Sequence, residues 1–548
     1  MGNERSIGKG FAVLSMASML VKVMSLLFVP LMLNLLGEEG YGVYSITYQI
    51  FSFIYIIANS GVPVAISKHV SELSERKYHG AALRSFKISR SFLIAIGLLL
   101  SILMAALCTV LANAMHTPKA WAGILALAPC VLLTAVLSAY RGYFQGRQQM
   151  NPTAVTQVLE QLVHIVFSVG LAALFASKSI ELGVAGASVG TSIGALVALV
   201  AIVMMFNRYV STGFASPGDN LRSPYTYKDL AMTILKYSIP ITICSAVQHG
   251  GNLIDAWNTK GRLIVSGLLE SDASIWYGYL AKSQQLINVP VSLVTALSVA
   301  MMPAIAAAIA VKDRQQAEGK INYGFRLCYM VAVPCAFGLM ALHGGVFQVL
   351  KYGAGSELLL YGALTLIFLA TTQIQTSVLQ SINRLYYAVV SLAVGIVVKI
   401  AINYFLIAMP DVRVYGALVG TYVSMIVVIL MNQFIIRKKE GLQISLVKMI
   451  WKPLAASIYM TAIVAILYYL PNRLAPQVFS GYIANLILVI ASVLVGAFVY
   501  FVVMAKLKGI TKEDITSISR KAYAILPSFM KNMLEEEQEE QIEECEEE

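Results

Sequence analysis

The chain has 548 residues, 58% hydrophobic and only 13% charged, with a formal net charge of +11 and a mean hydropathy of +0.73. Soluble chains carry roughly a quarter charged residues, so a soluble globular protein is excluded. The apolar residues lie in blocks of the ~20 or more that cross a bilayer as helices, and few blocks alternate with period two, which argues against an outer-membrane barrel. The six cysteines are scattered: Cys108, Cys130, Cys244, Cys328 and Cys335 sit in or near apolar blocks and Cys545 lies near the C-terminus. Their spacing suits neither a metal nor a disulfide framework, so they read as small apolar packing residues.

In chain order the first apolar block, Phe11 to Leu36, is too long for a signal-peptide core and reads as a retained helix. Fourteen candidate spans follow from it, near 11–36, 42–66, 91–112, 120–140, 152–176, 184–206, 232–256, 274–310, 327–350, 357–380, 388–408, 415–436, 453–470 and 482–505. The eighth is overlong and is expected to include turns outside the membrane. Connections at 68–90, 311–326 and 437–452 are rich in Lys and Arg, whereas those at 37–41, 113–119, 177–183, 351–357, 409–415 and 471–481 carry about one basic residue at most. The basic set belongs in the cytoplasm. That accounts for the net charge without an anionic partner or nucleic acid, and an even span count puts both termini inside.

Between spans four and five stands RGYFQGRQQMNP, residues 141–152. Gly142 and Gly146 are expected to permit a tight reversal, and Pro152 suits the first turn of the next helix. Arg141 and Arg147 fit a cytoplasmic turn. The other reading has them touch a substrate head group at a cytoplasmic gate.

This segment has a counterpart. Gln145-Gly146 answers to Gln380-Ser381, His164 to Lys399, and VAGASVGTS (184–192) to VYGALVGTY (414–422). Upstream, YGVYSITYQ (41–49) answers to IWYGYLAKSQ (275–284) and GVPVAIS (61–67) to MMPAIAA (301–307). Two parallel six-span halves are a transporter architecture with its site where the halves meet. The division expected is an N-lobe at 1–210, a cytoplasmic linker at 211–231, a C-lobe at 232–436, two extra spans at 437–508, and a cytoplasmic segment at 509–548. Within that last segment, 511–534 has the spacing of an amphipathic surface helix, and the acidic run 535–548 is expected to be disordered.

Polar residues inside apolar spans are costly, so their angular placement is informative. Ser15, Ser18, Lys22 and Ser25 share one face of span one, and Tyr48, Ser52, Tyr55 and Asn59 one face of span two. Span seven carries Ser245, Gln248, Asn252, Asp255, Thr259 and Arg262, and span eight Lys282, Gln285, Ser292 and Thr295. Four such stripes, the first two of each half, are expected to line one water-filled cavity. Lys22, Lys282, Lys260 and Arg262 outweigh Asp255, so the cavity reads as cationic and suits a phosphate. For Lys260 and Arg262 the alternative is that they reach the membrane interface at a span end. Asp255 reads either as an ion-pair partner or as an ion-coupling group. In span five Glu160 and His164 form either a proton relay or a packed intrahelical pair; Lys399 and Asn403 occupy the matching face of span eleven. Phosphate-loop, HExxH and CxxC patterns are absent from the sequence, and nothing in it points to an enzyme.

The segments GEEGYGVY (37–44), GVPVAISKHVSE (61–72) and RGYFQGRQQMNPTAVTQVLEQLVHIVF (141–167) resemble the polysaccharide-transporter branch of the MOP flippase superfamily, its MurJ/YtgP and SpoVB type above all. The resemblance covers roughly residues 5–510. It implies an all-α membrane protein of fourteen helices, two six-helix lobes in a V, and a cationic central cavity. It further implies movement of an undecaprenyl-pyrophosphate-linked sugar, lipid II in one subfamily and a spore-cortex role in the other, across the cell membrane by a monomer. Basic residues of spans one and eight hold the pyrophosphate in such proteins; Lys22 and Lys282, or Gln285 one turn on, are the matching positions. No cofactor is implied beyond a coupling proton or sodium ion and the membrane potential. Other readings are a different lipid-linked polysaccharide unit, a MATE-type cation or drug antiporter, which needs an acidic cavity, and a non-transporting scaffold for cell-wall synthesis proteins.

Overall fold

The computed structural model describes residues 2–211, 225–310, 313–382, 384–439, 441–474 and 481–510. The expected linker falls mostly, and the surface helix and acidic run wholly, outside these residues. Among the described residues the secondary structure is helical, with no strand. The elements are α1 (Gly2–Asn59), α2 (Gly61–Glu75), α3 (His79–Ala106), α4 (Cys108–Ala114), α5 (Trp121–Gly146), α6 (Met150–Phe175), α7 (Ile180–Tyr209), α8 (Tyr227–Val265) and α9 (Glu270–Ala310). After them come α10 (Arg314–Ala341), α11 (His343–Val349), α12 (Ser356–Gly362), α13 (Thr365–Ser381), α14 (Leu385–Leu406), α15 (Tyr415–Phe434), α16 (Leu446–Leu474) and α17 (Tyr482–Lys506).

Eleven described helices are long and apolar enough to span a membrane, or twelve if the bent pair α12–α13 is one span. The fourteen read from sequence merge in part: most of span 11–36 and all of span 42–66 fall within one run, Met16–Glu75. The break inside α1 is at Gly37, with φ 69° and ψ −180°, a combination open essentially to glycine alone. The eighth span is not interrupted by turns as expected; α9 is a continuous helix of 41 residues.

Local chemistry fixes several starts. Ser179 caps α7 by accepting from Leu182 N at 3.2 Å, and Asp313 caps α10 from Gln316 N at 2.9 Å. Thr226 opens α8 with a reciprocal capping box: its hydroxyl accepts from Asp229 N, and its own N–H donates to Asp229 Oδ2 at 2.9 Å.

The α5–α6 connection corrects the role expected of its glycines. The left-handed residue of that turn is Gln148, at φ 59°, with Gln149 N bonded to Phe144 O at 2.8 Å. Gly142 and Gly146 lie in α5 and let α2 approach: a Cβ there would come 2.7 Å from Pro63 O and 2.6 Å from Ser67 O. Pro152 does fall in the first turn of α6.

Two compact units divide the chain at points inside helices: Met1–Lys282 with Leu392–Ser424, and Ser283–Ser391 with Met425–Glu548. In the first unit Phe86, Tyr140, Tyr143 and Phe206 form an aromatic cluster that joins α3, α5 and α7. Glycines matched in the two repeats do matched work there. Gly186 and Gly190 bring α7 onto Leu171 and Ser168 of α6, and Gly416 and Gly420 bring α15 onto Leu406 and Asn403 of α14. In the second unit α16 and α17, the spans outside the repeat, share a core with the end of α10 that includes Ala341, Met460, Val464, Tyr468 and Met504. Tyr500 donates from α17 to Met330 O of α10 at 3.1 Å.

Candidate functional site

Most of the candidate residues lie in the first unit; Gln285, half-buried three residues along α9 from Lys282, and Ser292 and Thr295 beyond it belong to the second. Lys22 is exposed on α1, and among the described residues nothing pairs with it. Asn252 is exposed on α8, and the side chain of Gln248 lies outside what is described. Asn59, at the end of α1, donates to Tyr55 O at 2.8 Å and reaches Thr134 Oγ1 of α5 at 3.5 Å.

Lys282, in contrast, is fully buried. Its ammonium lies 2.8 Å from Glu38 Oε2 and 4.6 Å from the centre of the Tyr279 ring. Lys260 is also fully buried, and neither reading from sequence describes it: it neither lines an open cavity nor reaches the interface. Its ammonium donates to Thr117 Oγ1 at 2.6 Å and Ser274 Oγ at 2.7 Å, with Glu270 Oε1 at 3.6 Å. The reason is tertiary. The segment before α5 and the start of α9 converge on the last turns of α8, and a buried ammonium is tolerated only with such partners.

The far half of the span-seven stripe is likewise covered. Asp255 pairs with Lys399 at 2.7 Å and accepts from Asn403 at 2.6 Å. Asn258 donates to Ile400 O at 2.9 Å, and the Arg262 guanidinium lies 3.3 Å from the centre of the Tyr404 ring. From Asp255 to Arg262, α8 therefore packs its polar side on α14. The stretch read from sequence as cavity lining meets α14 as an interhelical polar seam in this structure, with Asp255 in an ion pair.

Glu160 and His164 do not pair. The Glu160 carboxylate accepts from Arg141 at 2.8 Å, while the His164 ring packs on Phe28 with centroids 4.9 Å apart and lies 6.4 Å from Tyr48. The neighbouring helices decide this: α5 offers Glu160 a guanidinium, and α1 offers His164 two aromatic rings. Arg141 is thus tied inside the fold. Arg147 closes a different joint, reaching Tyr209 at 3.3 Å, Ser74 at 3.0 Å and His79 at 2.9 Å.

Glu38 and Glu39 are the residues sequence reasoning passed over. Glu39 pairs with Lys119 at 2.6 Å. Both carboxylates follow Gly37 and meet lysines from elsewhere in the chain. The available signal was a tandem acidic pair in a connection otherwise poor in charge, with a lysine inside an apolar span still to be neutralised. Close by, Gly42 and Gly278 mark a place where α1 and α9 touch backbone to backbone; a Cβ on Gly42 would collide with Ser274 O.

Comparison with known proteins agrees with this architecture. Residues 7–309 match the family described as polysaccharide biosynthesis protein. Stage V sporulation protein B of Bacillus subtilis (strain 168) is 27% identical over 407 residues, 74% of this chain and 78% of that one. Lipid II flippase MurJ of the same organism is 23% identical over 415 residues, 72% of this chain and 76% of that one. A solved structure of lipid II flippase MurJ in an inward closed conformation superposes with a TM-score of 0.67 at 14% identity, covering 90% of this chain and 98% of that one. The chain belongs to the polysaccharide biosynthesis protein family and is a multi-pass membrane protein.

Proposed function

We propose that this protein moves an undecaprenyl-pyrophosphate-linked sugar, lipid II for peptidoglycan, from the cytoplasmic to the outer leaflet of the cell membrane. The observation that carries the reading is a pair of cations within apolar helices, Lys22 exposed on α1 and Lys282 buried in α9, in a chain whose relatives include a lipid II flippase. A pyrophosphate and sugar do not cross hydrocarbon unaided. A cationic passage replaces water around the head group, the prenyl tail stays in lipid, and alternating access exposes the passage to either side. Lys22, exposed and without a partner among the described residues, is the first contact for the head group; Lys282, with Gln285 three residues along α9, is the second. Outward movement of an anion is favoured by a negative interior, and a returning proton or sodium ion resets the passage. The protein acts as a monomer with both termini in the cytoplasm.

Complementation tests this reading. In a strain depleted of its lipid II flippase, the wild-type chain is expected to restore growth, and an equally expressed Lys22→Ala variant is not. Failure of a correctly inserted wild type would remove lipid II as the cargo. A second reading has its own support in the likeness to stage V sporulation protein B: the same chemistry serving the spore cortex. Rescue confined to a sporulation-defective strain would favour it.

A further inference from the structure

The Glu38–Lys282 pair carries an inference that rests on the proposed anionic cargo and goes beyond it. A cation buried in the fold does not stand alone, because an uncompensated charge there is strongly destabilising. A phosphate therefore reaches the Lys282 ammonium by exchange with a group already on it. Such a group is the Glu38 carboxylate, 2.8 Å away. Carboxylate and phosphate are alternative acceptors for the same N–H donors, and both make charge-assisted bonds.

The two partners differ in ways that make exchange one-sided. The Lys282 side chain has no exposure, whereas that of Glu38 is 30% exposed. Lys282 also lies over the Tyr279 ring at 4.6 Å, a second hold on the ammonium that does not depend on Glu38. Glu38 directly follows Gly37, where the helix is broken. The anion thus sits at a joint, and the cation sits in the wall. We propose that Glu38 is an internal competitor for the substrate's pyrophosphate: it occupies Lys282 in the unloaded protein and is displaced when the head group binds.

The test is binding of farnesyl pyrophosphate to the purified full-length protein, with farnesol as the uncharged control. Glu38→Gln is expected to bind the pyrophosphate roughly tenfold more tightly than wild type, the equivalent of one charge-assisted hydrogen bond released from competition. Lys282→Met is expected to bind more weakly, and the double variant to match Lys282→Met, since Glu38 acts through Lys282. If Glu38→Gln is poorly folded, Glu38→Asp, which keeps the charge and shortens the reach, takes its place with the same expected direction. Unchanged or weaker binding by the Glu38 variant, with Lys282→Met still impaired, overturns the competitor while leaving the anionic cargo standing. A gain that persists without Lys282 also overturns it. If wild type and Glu38→Gln alike bind farnesyl pyrophosphate no better than farnesol, the anionic cargo itself falls and the competitor falls with it.

Discussion

At the scale of single residues, what matters is which side chain each charge meets. The sequence shows that Asp255 and Lys399 are charged groups inside apolar spans, and such groups need partners. It does not show that they meet each other, because the contact joins positions far apart in the chain. Glu160 makes the same point. Its nearest candidate along the helix was His164, four residues away, but Arg141 of the preceding helix holds it. Residue type and burial were legible; partner choice was not, since packing between helices sets it. The Asp255–Lys399 pair yields a direct test. Asp255→Asn and Lys399→Met should each lower stability, because each leaves the other member of a half-buried pair without its counter-charge. The double variant should recover much of that loss, as thermal unfolding in detergent would register. Additive losses would mean the two groups do not stabilise each other.

At the scale of elements, apolar block length and the positions of Gly and Pro gave most of the helices, and the repeat in the sequence reappears as matched glycine contacts on α7 and α15. What the sequence misassigned was the work of particular glycines. Gly142 and Gly146 have a turn-like setting, yet they serve helix approach, because the space beside them is filled by the backbone of α2. Gly37 is the opposite case: nothing crowds a Cβ there, and its backbone angles alone demand glycine. Gly37→Ala should therefore destabilise the fold by about 1–3 kcal/mol through backbone strain, with no repair from trimming its neighbours. Gly190→Val should act through collision with Ser168 of α6, whose backbone as well as its hydroxyl stands where the Cβ would fall, so a second change Ser168→Gly should restore little of the lost thermal stability. Full restoration would place the cause in the Ser168 side chain alone.

At the scale of the whole molecule, composition identified the membrane class, and three sequence segments carried the family resemblance that the match over residues 7–309 bears out. The span number was less legible, because adjacent spans run into one another where a glycine breaks a helix without a loop. A scaffold for cell-wall synthesis proteins and a transporter differ in what they need from the C-terminal segment. Removing residues 511–548, which spares the buried Ile510, should leave transport near the wild-type level, since that segment lies outside both repeats. Loss of function with intact membrane insertion would favour the scaffold.

The most direct measurement is leaflet transfer itself. Purified protein in liposomes with an imposed potential, negative inside, would be given a fluorescent undecaprenyl-pyrophosphate-linked sugar in the inner leaflet, and its arrival outside read by a membrane-impermeant quencher. Wild type is expected to transfer the lipid, the potential to accelerate transfer, and Lys22→Ala to abolish it. Equal transfer by Lys22→Ala, or none by wild type under conditions where an established flippase works, would contradict this expectation.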